Sequence, residues 1–289
     1  MKNYIKNMFL LQNKLNFDTN GEKWTAGITN KEKIINWERA ITLELAECID
    51  SFPWKHWKSI EQQPDIANAR IELVDVWHFL MSSIIETQTY NLNLKHFIPE
   101  LSDSEVNEIN NKYELFKVDT EEILDVTNVN YQFIENTFKE FESSIYSAFS
   151  KYYEKEWTLN EHKEINVVLS LVEETIVASS LLNKYKLQFL SESSVEELYK
   201  VLEFTQRLTI SFIASCSSLN LSFEDLNKQY LGKNALNALR QDKGYKEGTY
   251  IKMWNGEEDN VHMLRLIETL EEPSFESIYV GLDNIYKTL

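Results

Sequence analysis

Two pairs of carboxylates hold most of the chemistry open to this sequence. Glu44 and Glu47 are three residues apart, and so are Glu72 and Asp75. On an α-helix, residues at that spacing share a face, one turn above each other. Ile41, Leu43, Ile49, Ile71, Val74, Trp77 and Leu80 surround them, so each pair lies on a stripe bound for a core. A carboxylate leaving water needs a partner. Four that face one another repel, and a divalent cation is the usual remedy. The donors are hard oxygens with no cysteine among them, which selects Mg²⁺, with Mn²⁺ or Ca²⁺ also open, over zinc or copper. The competing reading is four solvated acids on two exposed faces. Asp75 and His78 also have the carboxylate–histidine spacing of di-iron bundles. Those sites use the motif on two helices, and the first helix here has no histidine, so His78 reads as a core or supporting residue.

A second cluster has the opposite sign. Between Lys228 and Lys252 stand six basic residues (Lys228, Lys233, Arg240, Lys243, Lys246, Lys252) and two acids (Asp242, Glu247), a local net of +4. The whole chain carries 29 basic against 46 acidic residues, a net of −17. That balance argues against nucleic acid and anionic membranes as partners. A local basic block inside it is what an anionic ligand such as phosphate needs. The alternative, a basic helix end favoured by the dipole, covers Arg240 and Lys243 but not Lys246 or Lys252. Gln12 and Asn16, four apart, have amides able to read a base edge, and Trp57 and Phe79 have rings able to pack on a base or sugar. Singly these are ordinary residues; beside the two charged clusters they point to a nucleotide. The sequence has neither a P-loop nor a G-x-G-x-x-G motif, which excludes those two modes of nucleotide binding.

Helices must position these groups. Gly (7) and Pro (4) are scarce, too few for the turns of an all-β fold. Apolar spacing predicts a helix over residues 3–17. The next runs over 31–51, with Thr29 or Asn30 as N-cap and Pro53 as its stop. Another runs from Pro64 to Tyr90. The last two carry the carboxylate pairs, on either side of the turn Phe52-Pro53-Trp54-Lys55-His56-Trp57-Lys58. Residues 91–160, weakly patterned and then aromatic-rich, read as an inserted accessory helical region. Helices over 161–186 and 194–219 follow, then one over 223–242 capped by Ser222, with Gly244 past its end. Residues 244–262 read as an ordered irregular loop, and two short helices parted by Pro273 close the chain. The expectation is an all-α fold forming one catalytic domain over 1–289. Cys48 and Cys216 sit in apolar helical patterns and read as buried reduced thiols. No signal peptide is read in MKNYIKNMFLLQNKLN, and no apolar run is read as nearing the ~20 residues of a membrane span. The expected location is cytoplasmic.

Several blocks resemble one family. LLQNKLN, LELAECIDSFPWKHWK, ARIELVDVWHFLMS, YLGKNALNALRQDKGY and YIKMWNGEEDN are similar, in this order, to the dimeric all-α dUTPases. These are a branch of the all-α NTP pyrophosphatases that includes the MazG-like enzymes. The middle of the chain, residues 90–220, matches only as generic helix. The resemblance implies a core around a four-helix bundle, a homodimer, and Mg²⁺-dependent hydrolysis of dUTP to dUMP and diphosphate, with dUDP accepted as well. It implies two or more Mg²⁺ ions, with Mn²⁺ as substitute, on Glu44, Glu47, Glu72 and Asp75. Glu47 would also orient or deprotonate the attacking water. Lys233, Asn234, Arg240, Lys246 and Lys252 would hold the phosphates. Gln12, Asn16 and Trp57 would frame uracil, and Phe79 would lie against the deoxyribose. The rival enzyme reading is a broader dNTP pyrophosphatase acting on dCTP or a modified nucleotide. A non-catalytic helical dimerisation module is the rival from another class.

Overall fold

The computed structural model describes residues 4–57, 63–116, 129–141 and 162–289. Its elements are helices throughout, apart from one two-stranded hairpin among the described residues. The fold is all-α, as the scarcity of turn residues predicts. The chain packs as two compact units, Asn16–Ser222 and Met1–Leu15 with Phe223–Leu289. Helix α1 (Tyr4–Asn20) contributes residues to both.

In the larger unit the helices are α2 (Trp37–Asp50), α3 (Ile66–Leu92), α4 (Leu94–Phe97), α5 (Asp103–Lys112), α6 (131–141), α7 (His162–Glu192) and α8 (Val195–Ser218). Helix α2 packs on α3 and α7, and α8 packs on the same two. This closes a ring of four helices, the bundle core the resemblance implied. Leu73, Val76, Trp77, Leu80, Met81 and Ile84 of α3 are fully buried in it. Each such side chain contributes about 1.5–3 kcal/mol by leaving water. Trp77 stacks on Phe212 of α8, rings 5.4 Å apart. Part of the accessory region expected over 91–160, residues 117–128 and 142–160, lies outside the described residues. Its described portion contains α4, α5 and α6. By length and composition, Ile165–Glu192 would suffice to cross a membrane. Here it lies in the ring, packed on α2 and α8.

The caps explain most boundaries. Asp65 accepts from the Asn68 amide at 3.0 Å and starts α3. Ser194 does the same for α8 through Glu197. One expectation fails: α2 starts at Trp37, capped by Asn36, whose Oδ1 accepts from Arg39 N at 2.7 Å. Thr29 spends its hydroxyl on the amides of Lys31 and Lys33, and Ile28 bridges to Ile34 across that turn. The threonine side chain closes a turn, a conformation that competes with the helix start it was expected to cap.

The smaller unit holds α9 (Phe223–Asp242), β1 (Met253–Trp254), β2 (Glu257–Glu258), α10 (Asp259–Thr269) and α11 (Phe275–Tyr286). The segment expected as irregular loop therefore contains a hairpin and the start of a helix. Met253 pairs with Glu258 and Trp254 with Glu257. Asn255 and Gly256 turn between them with φ of 50° and 90°, the positive values a two-residue Asn-Gly hairpin turn requires.

Candidate active site

The α2–α3 turn brings the carboxylates together. At its base Asp65 N donates to the Ser51 carbonyl, and Asn68 Nδ2 to Ser51 Oγ, both at 2.9 Å. Glu44 lies seven residues before Ser51 and Glu72 seven after Asp65. Equal distances from a pinned turn, about 10 Å along each axis, put the two on a level. Asp75 follows one turn up α3. Glu44, Glu72 and Asp75 each offer a carboxylate oxygen within 4.8 Å of the others. Glu72 is buried, and the other two are half-buried.

Glu47 is not in this group. It is exposed on α2, one turn from Glu44. His78 is buried outside the group, and the di-iron pattern is not assembled among the described residues.

The donor set fits a hard divalent cation. The one sulfur nearby, Cys48, is fully buried. Burial first, and then the negative charge of Glu72, push its thiol up to about 12. The three side chains of the group offer oxygen donors only.

Two of the expected base and sugar residues lie along α3 in this unit. Phe79 stacks on Trp37, centroids 6.2 Å apart, and Trp24 meets Trp37 edge-on at 6.1 Å. Buried Asn16 donates to Ser82 Oγ at 2.9 Å, one turn from Phe79. Trp57 instead stands 64% exposed on the α2–α3 turn against Trp54 and His56. Trp24 and Trp37 were not assigned a role from the sequence. Trp37 Nε1 is a buried donor with no partner among the described residues. The aromatic density before α2 was the signal available.

In the smaller unit, buried Gln12 and Asn234 both meet the Tyr230 hydroxyl. Asn234 Nδ2 donates to it at 3.0 Å, it donates to the Met8 carbonyl at 3.0 Å, and Gln12 Oε1 lies 3.4 Å away. Tyr230 was missed because nothing in its spacing marks it. Lys233 is buried, with Nζ 3.3 Å from Asn260 Oδ1. Arg240 binds a buried carboxylate. Its Nε and Nη2 both donate to Asp259 at 2.8 Å, and Nη1 donates to Asn237. Asp259, fully buried, also accepts from the Tyr250 hydroxyl at 2.8 Å. Burial alone would lower the Arg240 pKa, but the bonds to Asp259 raise it. The guanidinium expected on phosphate is engaged as a clamp between α9 and the start of α10. Lys246 and Lys252 are exposed, Lys252 with Nζ 3.4 Å from Glu258.

The larger unit is thus an all-α bundle with three carboxylates gathered on adjacent helices, a group able to hold a divalent cation. The chain matches the dUTPase family model over residues 4–245 and belongs to that family. Membership supports dUTP diphosphatase activity, and the acidic group agrees with the divalent metal such enzymes generally use. No curated protein matches the chain.

Proposed function

We propose that the protein is a Mg²⁺-dependent dUTP pyrophosphatase that releases dUMP and diphosphate, hydrolyses dUDP as well, and works as a homodimer. The observation that carries this reading is the convergence of Glu44, Glu72 and Asp75 in a chain of the dUTPase family. A bound divalent cation supplies positive charge for phosphate oxygens and lowers the pKa of water it holds. Glu44, Glu72 and Asp75 hold it. Glu47, exposed one turn along α2, orients the attacking water toward the α-phosphorus and takes its proton. Lys246 and Lys252, exposed cations of the smaller unit, stabilise charge on the phosphates. Phe79 packs on the deoxyribose, and the Asn16 amide reads the base. A mismatched base edge would leave a buried polar group unpaired, and that cost discriminates uracil from cytosine.

The test is diphosphate release from dUTP by the purified protein with Mg²⁺. We expect release that stops on chelation and is lost in Glu72→Gln. Intact dUTP in the presence of Mg²⁺ would overturn the proposal. Equal rates on dCTP in the same assay would replace it with the broader dNTP reading.

A further inference from the structure

Away from the metal group, the larger unit buries a second charged cluster that the proposed chemistry does not use. Lys186 of α7 is buried, and its Nζ lies 2.6 Å from Glu38 Oε1, 2.8 Å from Glu86 Oε2 and 3.1 Å from Ser83 Oγ. Ser83 donates to Glu38 at 2.6 Å, and the Tyr90 hydroxyl to Glu86 at 2.8 Å. Further bonds tie the first turn of α2 to α7. Ser179 Oγ donates to the Glu38 carbonyl at 2.9 Å, and Asn36 Nδ2 to Asn183 Oδ1 at 2.9 Å.

Ser83 and Lys186 do not form a nucleophile and base. Burial lowers the lysine pKa, but the two carboxylates outweigh it and the pKa ends above the ordinary value. Ser83 therefore faces an ammonium. Nor is stability the evident gain, since desolvating buried ions often cancels their attraction. What such a cluster does well is permit one arrangement of its helices. One ammonium here joins α2, α3 and α7. The α2–α3 pair is pinned at one end by the Ser51–Asp65–Asn68 bonds and at the other by Lys186. Glu44, Glu72 and Asp75 lie between the pins. Glu44 is six residues from Glu38, about 9 Å along α2, and Asp75 eleven from Glu86, about 16 Å along α3.

We propose that Lys186 is a positioning residue for the carboxylate group: by fixing α2 against α3 it sets the spacing of Glu44 from Glu72 and Asp75. The proposal rests on reading those three as metal ligands. A slip of one residue between the helices is about 1.5 Å, more than the near-ideal octahedral shell of Mg²⁺ accepts.

The test compares wild type with two variants. Lys186→Met strands two buried carboxylates and is expected to fold poorly. The neutral triple variant E38Q/E86Q/K186M removes all three charges together and keeps the side-chain volumes close. Mn²⁺ binding, followed by paramagnetic water relaxation, is measured beside thermal unfolding. We expect the triple variant to melt near wild type but bind Mn²⁺ about tenfold more weakly, with KM for dUTP at saturating metal unchanged. Wild-type Mn²⁺ affinity in a folded triple variant would overturn the positioning role. If wild type binds Mn²⁺ but leaves dUTP intact, the proposed activity fails, while a weakened triple variant still upholds Lys186. If wild type binds no Mn²⁺, both fall.

Discussion

Two cations of the smaller unit separate a structural charge from a substrate charge. Arg240 holds the fully buried Asp259 through two bonds. Arg240→Met leaves that carboxylate without its cation, a change that typically costs about 3–5 kcal/mol; urea unfolding should show a loss of that order. Lys252 is exposed and only loosely paired, so Lys252→Met should shift stability by less than about 1 kcal/mol while raising KM for dUTP. Equal stability loss in both variants would sink the distinction. Glu47 follows the Lys252 pattern: Glu47→Gln should melt like wild type and hydrolyse dUTP very slowly. The thiols give a residue-scale test of the fold. Cys48 and Cys216 are buried and reduced, and the Cys48 pKa stands at about 12 against an ordinary 9.0. A raised folded-state pKa means that this contribution to stability is whole below pH 9 and fades as pH climbs toward 12. A thiol reagent at pH 8 should find no reactive thiol in the native protein and both in denaturant.

The helices were legible wherever the local pattern had no competitor. The stop before Pro53, the start after Pro64 and the helix after Ser222 all emerged as read. The start of α2 did not, because Thr29 satisfies its amides by closing a turn. Asn36 is the cap instead, and it also reaches Asn183. Asn36→Ala should therefore cost about 1 kcal/mol for the cap and more for the lost bond to α7, seen as a lower urea midpoint with unchanged slope. A neutral result would mean that the first turn of α2 is held by Glu38 alone. Of the site, Glu44, Glu72 and Asp75 were readable because helix periodicity puts them on facing stripes. The exposure of Glu47 was not, since it depends on how α2 packs against other helices. The clamp on Arg240 was hidden for the same reason: its partner lies 19 residues on.

At the scale of the whole molecule, charge is the property that composition states most directly and tertiary structure redistributes. The chain carries −17, and that field draws cations of any kind toward the carboxylates of the larger unit. Lys186 compensates Glu38 and Glu86, a partnership spanning 148 residues of sequence that no local pattern discloses. A divalent cation held by Glu44, Glu72 and Asp75 would sit within that field. Monovalent salt shortens the reach of that field, to about 8 Å at physiological ionic strength from about 30 Å at 0.01 M. Mg²⁺ binding should therefore weaken as NaCl is raised, while buried contacts such as Arg240–Asp259 are screened far less. The measurement is the Mg²⁺ concentration for half-maximal dUTP hydrolysis at 0.01 M and 0.15 M ionic strength. We expect it to rise several-fold with unchanged kcat. A midpoint indifferent to salt would mean that the three ligands alone, and not the acidic surface, set the affinity for the metal.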